Sequence, residues 1–136
     1  MARILALDYG TVRTGVAVTD ELQLIASGLT TIETNGLMAF LSDYVENESV
    51  EKFVVGLPKQ MDNRPSEIED LIQPFLKKLT KRFPKIQVER QDERFTSKMA
   101  FQSMLDTGMK KKKRQNKGLV DEISATLILQ AYLNRI

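Results

Sequence analysis

The amino-acid sequence predicts an α/β protein with a mixed five-stranded sheet and helices on both faces. Three short β-type runs, separated by polar turns, fill the first quarter of the chain. Beyond residue 36 the apolar period changes to that of helices, which alternate with two further strands. Strands joined by short turns pair antiparallel, whereas strands joined through a helix pair parallel, so this order predicts a mixed sheet.

The first three strands are expected from Arg3 to Tyr9, from Gly15 to Thr19 and from Leu24 to Ile32. The first is apolar, and the other two are rich in β-branched residues, which favour strands. The remaining elements are identified by apolar spacing and by Gly, Pro, Ser and Thr at their ends. In order they are a helix over 37–45, a strand over 53–57, a helix over 66–79 that contains Pro74, a strand over 86–90, a helix from 96 or 97 to 106, and a helix over 119–133.

Length and composition limit the possible functions. A chain of 136 residues suits one domain, expected here over residues 1–136. It contains no Cys and no His, which excludes disulfides, Cys-His and Ser-His-Asp nucleophile systems, and the usual zinc ligands. No signal-peptide pattern and no apolar run long enough for a membrane helix is found, so we expect a cytoplasmic protein without a membrane partner.

Asp8 is the first candidate for chemistry, because a carboxylate near the end of an apolar strand is costly unless it is paired or binds a cation. The turn that follows holds Arg13 between Gly10 and Gly15, so its amides and guanidinium are candidates to bind an anion beside Asp8. A simpler role for Asp8, as a turn residue, stays open.

The second candidate is the segment from Asp92 to Ser97, which follows a strand and precedes a helix start. Glu93 is the preferred ligand, since its longer side chain can reach from a strand end to a shared metal. Arg94 and the hydroxyls of Thr96 and Ser97 are suited to bind a phosphate at the helix N-terminus. The alternative is that these residues only cap the helix.

Asp121 is the third candidate, in the first turn of the last helix. The helix dipole favours an acid there whatever its function. Ser124 and Ala125 in the next turn, however, have small side chains, so the helix is able to lie close to the strand ends that carry Asp8 and Glu93. Three converging carboxylates require a compensating cation, which predicts Mg²⁺ or Mn²⁺. Two such ions about 4 Å apart would suit phosphodiester hydrolysis.

A basic segment lies between the last two predicted helices. Beside a carboxylate-metal site, it is expected to clamp a nucleic-acid backbone without reading the sequence. The alternative is that these basic side chains are only solvated and bind nothing. The residues are Lys110, Lys111, Lys112, Lys113, Arg114 and Lys117.

With these segments assembled, the chain closely resembles the YqgF (RuvX) family, which is related to the RuvC-type Holliday junction resolvases within the ribonuclease H-like superfamily. The likeness covers nearly the whole chain and implies a ribonuclease H-like fold. One departure is the loop at 59–65, where the family commonly has a glycine and this chain has none, so the role of this loop stays open. The matching stretches are 5–10 with Arg13 and Gly15, 54–58, 92–97, and 117–121 continuing to 127–130.

The resemblance implies a nuclease that matures the 5′ end of pre-16S ribosomal RNA, in ribosome biogenesis, with ribosomal precursor particles as partners. It assigns Asp8, Glu93 and Asp121 as the catalytic and metal-binding set. Three rivals stay open: a resolvase of branched DNA, an actin-like ATPase, and a non-catalytic nucleic-acid-binding protein. The ATPase is disfavoured by length, since such enzymes close a nucleotide between two domains. The chain is expected to be a monomer or a homodimer.

Overall fold

The computed structural model describes residues 2–58, 67–93 and 117–136, with Lys117 described by its backbone alone. The strands are β1 Arg3–Asp8, β2 Arg13–Thr19, β3 Ala26–Glu33, β4 Val50–Leu57 and β5 Gln87–Asp92. The helices are α1 Leu37–Asn47, α2 Glu69–Arg82 and α3 Lys117–Arg135, and a 3-10 turn at Thr34–Gly36 leads into α1.

The five strands form one sheet in the order β3-β2-β1-β4-β5. β2 pairs antiparallel with β1 and β3, whereas β4 pairs parallel with β1 and β5. The mixed sheet is therefore confirmed, with a meander on one side and helix-connected strands on the other. As a result, β1, β4 and β5 all end at the same edge of the sheet.

Apolar side chains alternate between the two faces of the sheet along the strands, and they form one core on each face. Leu5 and Leu7 of β1 belong to the core that also contains buried residues of α1 and α2. Ile4 and Ala6 point the other way, into a smaller core with Ala125 and Ile128 of α3. Helices therefore cover both faces, as the sequence predicted, and even-numbered positions of β1 face α3.

Several predicted boundaries were wrong by a few residues. β2 begins at Arg13 and β4 at Val50, because their first residues find ladder partners in β3 and β1. β3 begins at Ala26 rather than Leu24, because the amides of Leu24 and Ile25 donate to the Asp20 carboxylate and close the hairpin. β5 runs on to Asp92, which pairs with Leu57. The predicted helix over 96–106 lies outside the described residues.

α3 is attached to the sheet at its carboxyl end by polar contacts. The hydroxyl of Tyr132 donates to Glu89 on β5 and accepts from Lys52 Nζ on β4 at 3.2 Å. Arg135 donates to the backbone oxygen of Arg90 at 3.0 Å and stacks over the Tyr132 ring. None of the described helices is both long enough and apolar enough to cross a membrane.

Candidate carboxylate site

Two of the predicted carboxylates lie at the edge of the sheet where β1, β4 and β5 end. Asp8 is the last residue of β1, and Glu93 directly follows β5. The amide of Glu93 donates to the backbone oxygen of Leu57 at 3.2 Å, which holds the chain against the end of β4. The parallel order of these strands thus brings together two acids that are far apart in sequence.

The side chains of Asp8 and Glu93 share a hydrogen bond. Desolvation by the surrounding protein is the main cause that raises the pKa of Asp8 to about 6; the Glu93 hydrogen bond opposes this effect, and the charge of Asp121 adds to it. Desolvation and the neighbouring Asp8 charge raise the pKa of Glu93 to about 9. Glu93 therefore holds the proton of the pair at neutral pH, and donates it to Asp8.

Gly56 provides the space that Glu93 occupies. A side chain at this position would overlap the Glu93 carboxylate, and its Cβ would lie 2.9 Å from Ile128 Cδ1 of α3. No role for Gly56 was predicted from the sequence. An isolated glycine inside an otherwise apolar strand is the signal that was available, since it often marks a close approach by another group.

Two further glycines bring the first turns of α3 close to the sheet. A Cβ at Gly15 of β2 would overlap the backbone oxygen of Asp121, and one at Gly28 of β3 would lie 2.6 Å from Glu122 Oε1. The hydroxyl of Thr31 on β3 also donates to the backbone oxygen of Gly118. The close approach predicted for this helix is thus confirmed, although glycines of the sheet contribute to it as well as the small residues of α3.

The third predicted acid, Asp121, is paired with Arg13. The guanidinium Nε of Arg13 donates to Asp121 Oδ2 at 3.0 Å, and both side chains are partly exposed. Asp121 nevertheless raises the pKa of Asp8, which places its charge within electrostatic reach. Arg13 was predicted from the sequence to bind an anion beside Asp8, and the anion that it contacts in the structure is the Asp121 carboxylate.

The donor set at this edge has the chemistry that a hard divalent cation requires. The oxygens belong to carboxylates, and a cation would relieve the repulsion that the shared proton now relieves. In the described parts of the chain, however, no three acidic side chains are already arranged to hold a metal ion. Asp8 and Glu93 fit such an ion as a pair, whereas Oδ2 of Asp121 accepts a hydrogen bond from Arg13.

The turn that carries Arg13 is held by Thr34. Its hydroxyl donates to the backbone oxygen of Gly10 at 2.6 Å and lies 2.9 Å from the hydroxyl of the buried Thr14. The Thr34 amide donates to Val12 O at 2.9 Å. These contacts fix both sides of the turn, so that Arg13 extends from a supported backbone.

A second ion pair, which was not predicted from the sequence, lies behind the site. Arg90 of β5 binds both carboxylate oxygens of Glu69 at 2.7 and 2.8 Å, and also donates to Gly56 O at 2.8 Å. Its charge lowers the pKa of Glu93, against the larger effect of desolvation. Arg90 therefore joins the first turn of α2 to the part of β4 that lies beneath Glu93.

The other predicted nucleic-acid contacts lie outside the residues that the structure describes. Lys117 is the first residue of α3, but its side chain is not among those described. The loop at 59–65 falls outside them as well. Those in the undescribed segment from 94 to 116 are Arg94, Thr96, Ser97, Lys110, Lys111, Lys112, Lys113 and Arg114.

The chain is similar to a known protein family and to several named proteins. The family model of RuvX, described as Holliday junction resolvase, matches residues 2–135. A protein of Christiangramia forsetii named "Putative pre-16S rRNA nuclease" is 67% identical over 133 residues, which cover 98% of each chain. Proteins with the same name from Flavobacterium psychrophilum and Bacteroides thetaiotaomicron are 61% and 59% identical, and the matches cover 99% and 98% of this chain and 98% and 96% of theirs.

Proposed function

The chain belongs to the RuvX family of Holliday junction resolvases, and from this membership we propose that it is a nuclease that hydrolyses a phosphodiester bond in precursor 16S ribosomal RNA. The observation that carries the proposal is the pair of Asp8 and Glu93. Their shared proton and raised pKa values reflect the cost of holding two carboxylates together. A protein that keeps such a pair at the edge of its sheet gains from it if the pair binds a cation and a substrate.

Asp8 and Glu93 would hold Mg²⁺ or Mn²⁺, with Asp121 as a third ligand once it leaves Arg13. A divalent ion, or two of them, would supply an activated water and neutralise charge on the phosphate. Arg13 would then be free to bind a phosphate oxygen, since a guanidinium pairs with either anion in the same geometry. Glu93 gives up its proton when the cation binds, so ion binding should release protons at neutral pH.

The substrate proposal rests on the names of the relatives, which refer to pre-16S rRNA. Lys110, Lys111, Lys112, Lys113, Arg114 and Lys117 would bind the RNA backbone, with Arg94, Thr96 and Ser97 near the cut phosphate. Such contacts add affinity without sequence preference and weaken as salt increases. We expect the reaction to take place in the cytoplasm, on ribosomal precursor particles.

The direct test is a cleavage assay with an RNA that spans the 5′ end of the mature 16S sequence. With Mg²⁺ or Mn²⁺ the full chain should shorten this RNA, and addition of a chelator should stop the reaction. A reaction that continues unchanged in the chelator would rule out the metal. If neither metal yields a product from naked RNA or from precursor particles, the nuclease proposal fails.

Gly56→Ala should lower the cleavage rate at least tenfold, because the new methyl group displaces the Glu93 carboxylate. It should also cost about 1–3 kcal/mol of stability through overpacking. Gly36→Ala is the matched control, since its Cβ would meet no atom closer than 4.0 Å. Rates are compared at saturating metal and at a temperature where both variants are folded. Equal rates for the two variants would show that Gly56 does not position Glu93.

A resolvase of branched DNA is the second candidate, favoured by the description of the family model. Cutting two symmetric strands of a junction requires two active sites, which a two-fold dimer supplies. This candidate predicts a dimeric mass in solution and paired cuts in a synthetic four-way junction. Under the preferred proposal, the RNA is cut and the junction is not. That proposal does not require the protein to be a dimer.

A further inference from the structure

A cleft of about 550 Å³ opens on the sheet face opposite to Asp8, between the start of α1 and the middle of α2. Tyr9, which follows Asp8 in the chain, lies in its wall with Phe75. The two rings have centroids 4.7 Å apart and planes inclined by 32°. Leu71 also lines the cleft and is 52% exposed. The size is that of a small-molecule site, and its wall is aromatic.

The rim of the cleft supplies polar groups of the kind that recognise a nucleotide. Asn35 offers an amide, which both donates and accepts, and Thr11 offers a hydroxyl. Lys78 of α2 adds a positive charge to the lining. Lys81 and Arg82 follow one turn further along α2 and add to the positive charge of this helix. An aromatic wall beside fixed positive charge is complementary to a base and its phosphate.

The cleft and the carboxylates share one edge of the sheet. β3 is parallel to β1, since each pairs antiparallel with β2, so Thr34 and Asn35 lie at the edge where β1 ends. Tyr9 lies just beyond that end, on the face opposite to Asp8, and among the described residues the turn at 10–13 lies between the two faces there. A single nucleic-acid strand that crosses this edge would contact the cleft and the carboxylates in succession.

We propose that this cleft binds one unpaired nucleobase of a single-stranded RNA whose backbone crosses the turn at 10–13 to reach Asp8 and Glu93. The base stacks on Tyr9, whose ring is supported from behind by the nearly buried Phe75, and Lys78 contacts a neighbouring phosphate. The inference rests on the proposed nuclease function and adds to it a requirement for an unpaired nucleotide beside the cut.

The test compares two labelled strands of about ten nucleotides, within the range of single-strand site sizes. One is oligoadenylate, and the other is a ribose-phosphate strand of the same length without bases. Binding of the full chain is followed by fluorescence anisotropy in a chelator, so that nothing is cleaved. The wild type should prefer the strand with bases by about tenfold, the size expected from stacking one base.

Tyr9→Leu should reduce this preference to about twofold or less, whereas Tyr9→Phe, which keeps the ring, should retain it. The matched control is Tyr44→Leu, because the Tyr44 ring packs on Phe40 of α1 and not in the cleft. Thermal melting verifies that each variant is folded. A preference that survives in Tyr9→Leu would overturn the proposal, as would a wild type that binds neither strand.

Lys78→Gln should weaken binding of both strands equally and lower the slope of log K against log salt by about one. Lys85→Gln, an exposed change near the start of β5 at the opposite edge, should leave that slope unchanged. Normal cleavage without base preference would reject the cleft alone. Base preference without cleavage in any metal would reject the nuclease alone.

Discussion

Replacing Asp8 with asparagine is expected to lower the rate of RNA cleavage by about a thousandfold or more. The substitution keeps the shape of the side chain but removes the charge that would hold a cation at the end of β1. The asparagine amide would still be able to bond to Glu93, so the loss should come from the chemistry rather than from the fold. Single-turnover cleavage with saturating Mg²⁺ or Mn²⁺ measures the effect without the contribution of product release.

Asp43→Asn is the matched control for this change, since it removes one carboxylate from an exposed position of α1. It should cleave at the wild-type rate. The Asp8→Asn variant should also melt at a higher temperature than the wild type in a chelator at pH 8, because it removes a carboxylate whose ionised form is disfavoured by burial, which raises the pKa of Asp8 to about 6. An Asp8→Asn variant that cleaves normally would show that the carboxylate is a turn residue only.

Glu93→Gln is expected to stabilise the metal-free protein at pH 8–9 by several kcal/mol. The pKa of Glu93 is raised from 4.5 to about 9 in the folded protein, so the folded state keeps a proton that the unfolded state releases. The free energy of unfolding should therefore fall as the pH rises from about 4.5 to about 9, and above that range it should not fall further on account of Glu93. The substitution exchanges the protonated acid for a neutral amide and removes this part of the pH dependence.

Urea unfolding at several pH values in a chelator measures this effect, with Glu46→Gln on α1 as the exposed control. The wild type and the control should lose stability between pH 5 and pH 9, and the Glu93→Gln curve should be flatter. Added Mg²⁺ should then stabilise the wild type far more than the Glu93→Gln variant, because the cation replaces the proton between the two carboxylates and binds both of them. Parallel curves for all three proteins would mean that Glu93 is not buried against Asp8 as described.

Much of the fold was predictable from the sequence, because apolar periodicity determines which residues form the two cores. Leu5 and Leu7 alternate with Ile4 and Ala6, and the structure divides them between the two faces of the sheet. Strand ends were less predictable, since they depend on partners elsewhere in the chain. The hairpin before β3, for example, is closed by the Asp20 carboxylate rather than by apolar spacing.

Asp8 and Glu93 could be placed together from the sequence because parallel strands end at one edge, where sites in such sheets commonly form. The partner of Asp121 could not be predicted. Arg13 and Asp121 are 108 positions apart, and their pairing depends on how closely α3 approaches β2. The roles of Gly15 and Gly56 likewise depend on atoms from other elements that occupy the space above them.

Because α3 is attached to the sheet near its carboxyl end, a small change in its tilt there would displace the residues at its amino end. Tyr132 is anchored to β4 and β5, and Asp121 lies 11 residues away, which is about 16 Å along a helix axis. A tilt of about 10° about that pivot would move Asp121 by roughly 3 Å, the length of its bond to Arg13. A substitution at Lys52 or Tyr132 that tilts the helix would thus misalign Asp121 at the other end of α3 and disturb the close packing of its first turns on Gly15 and Gly28.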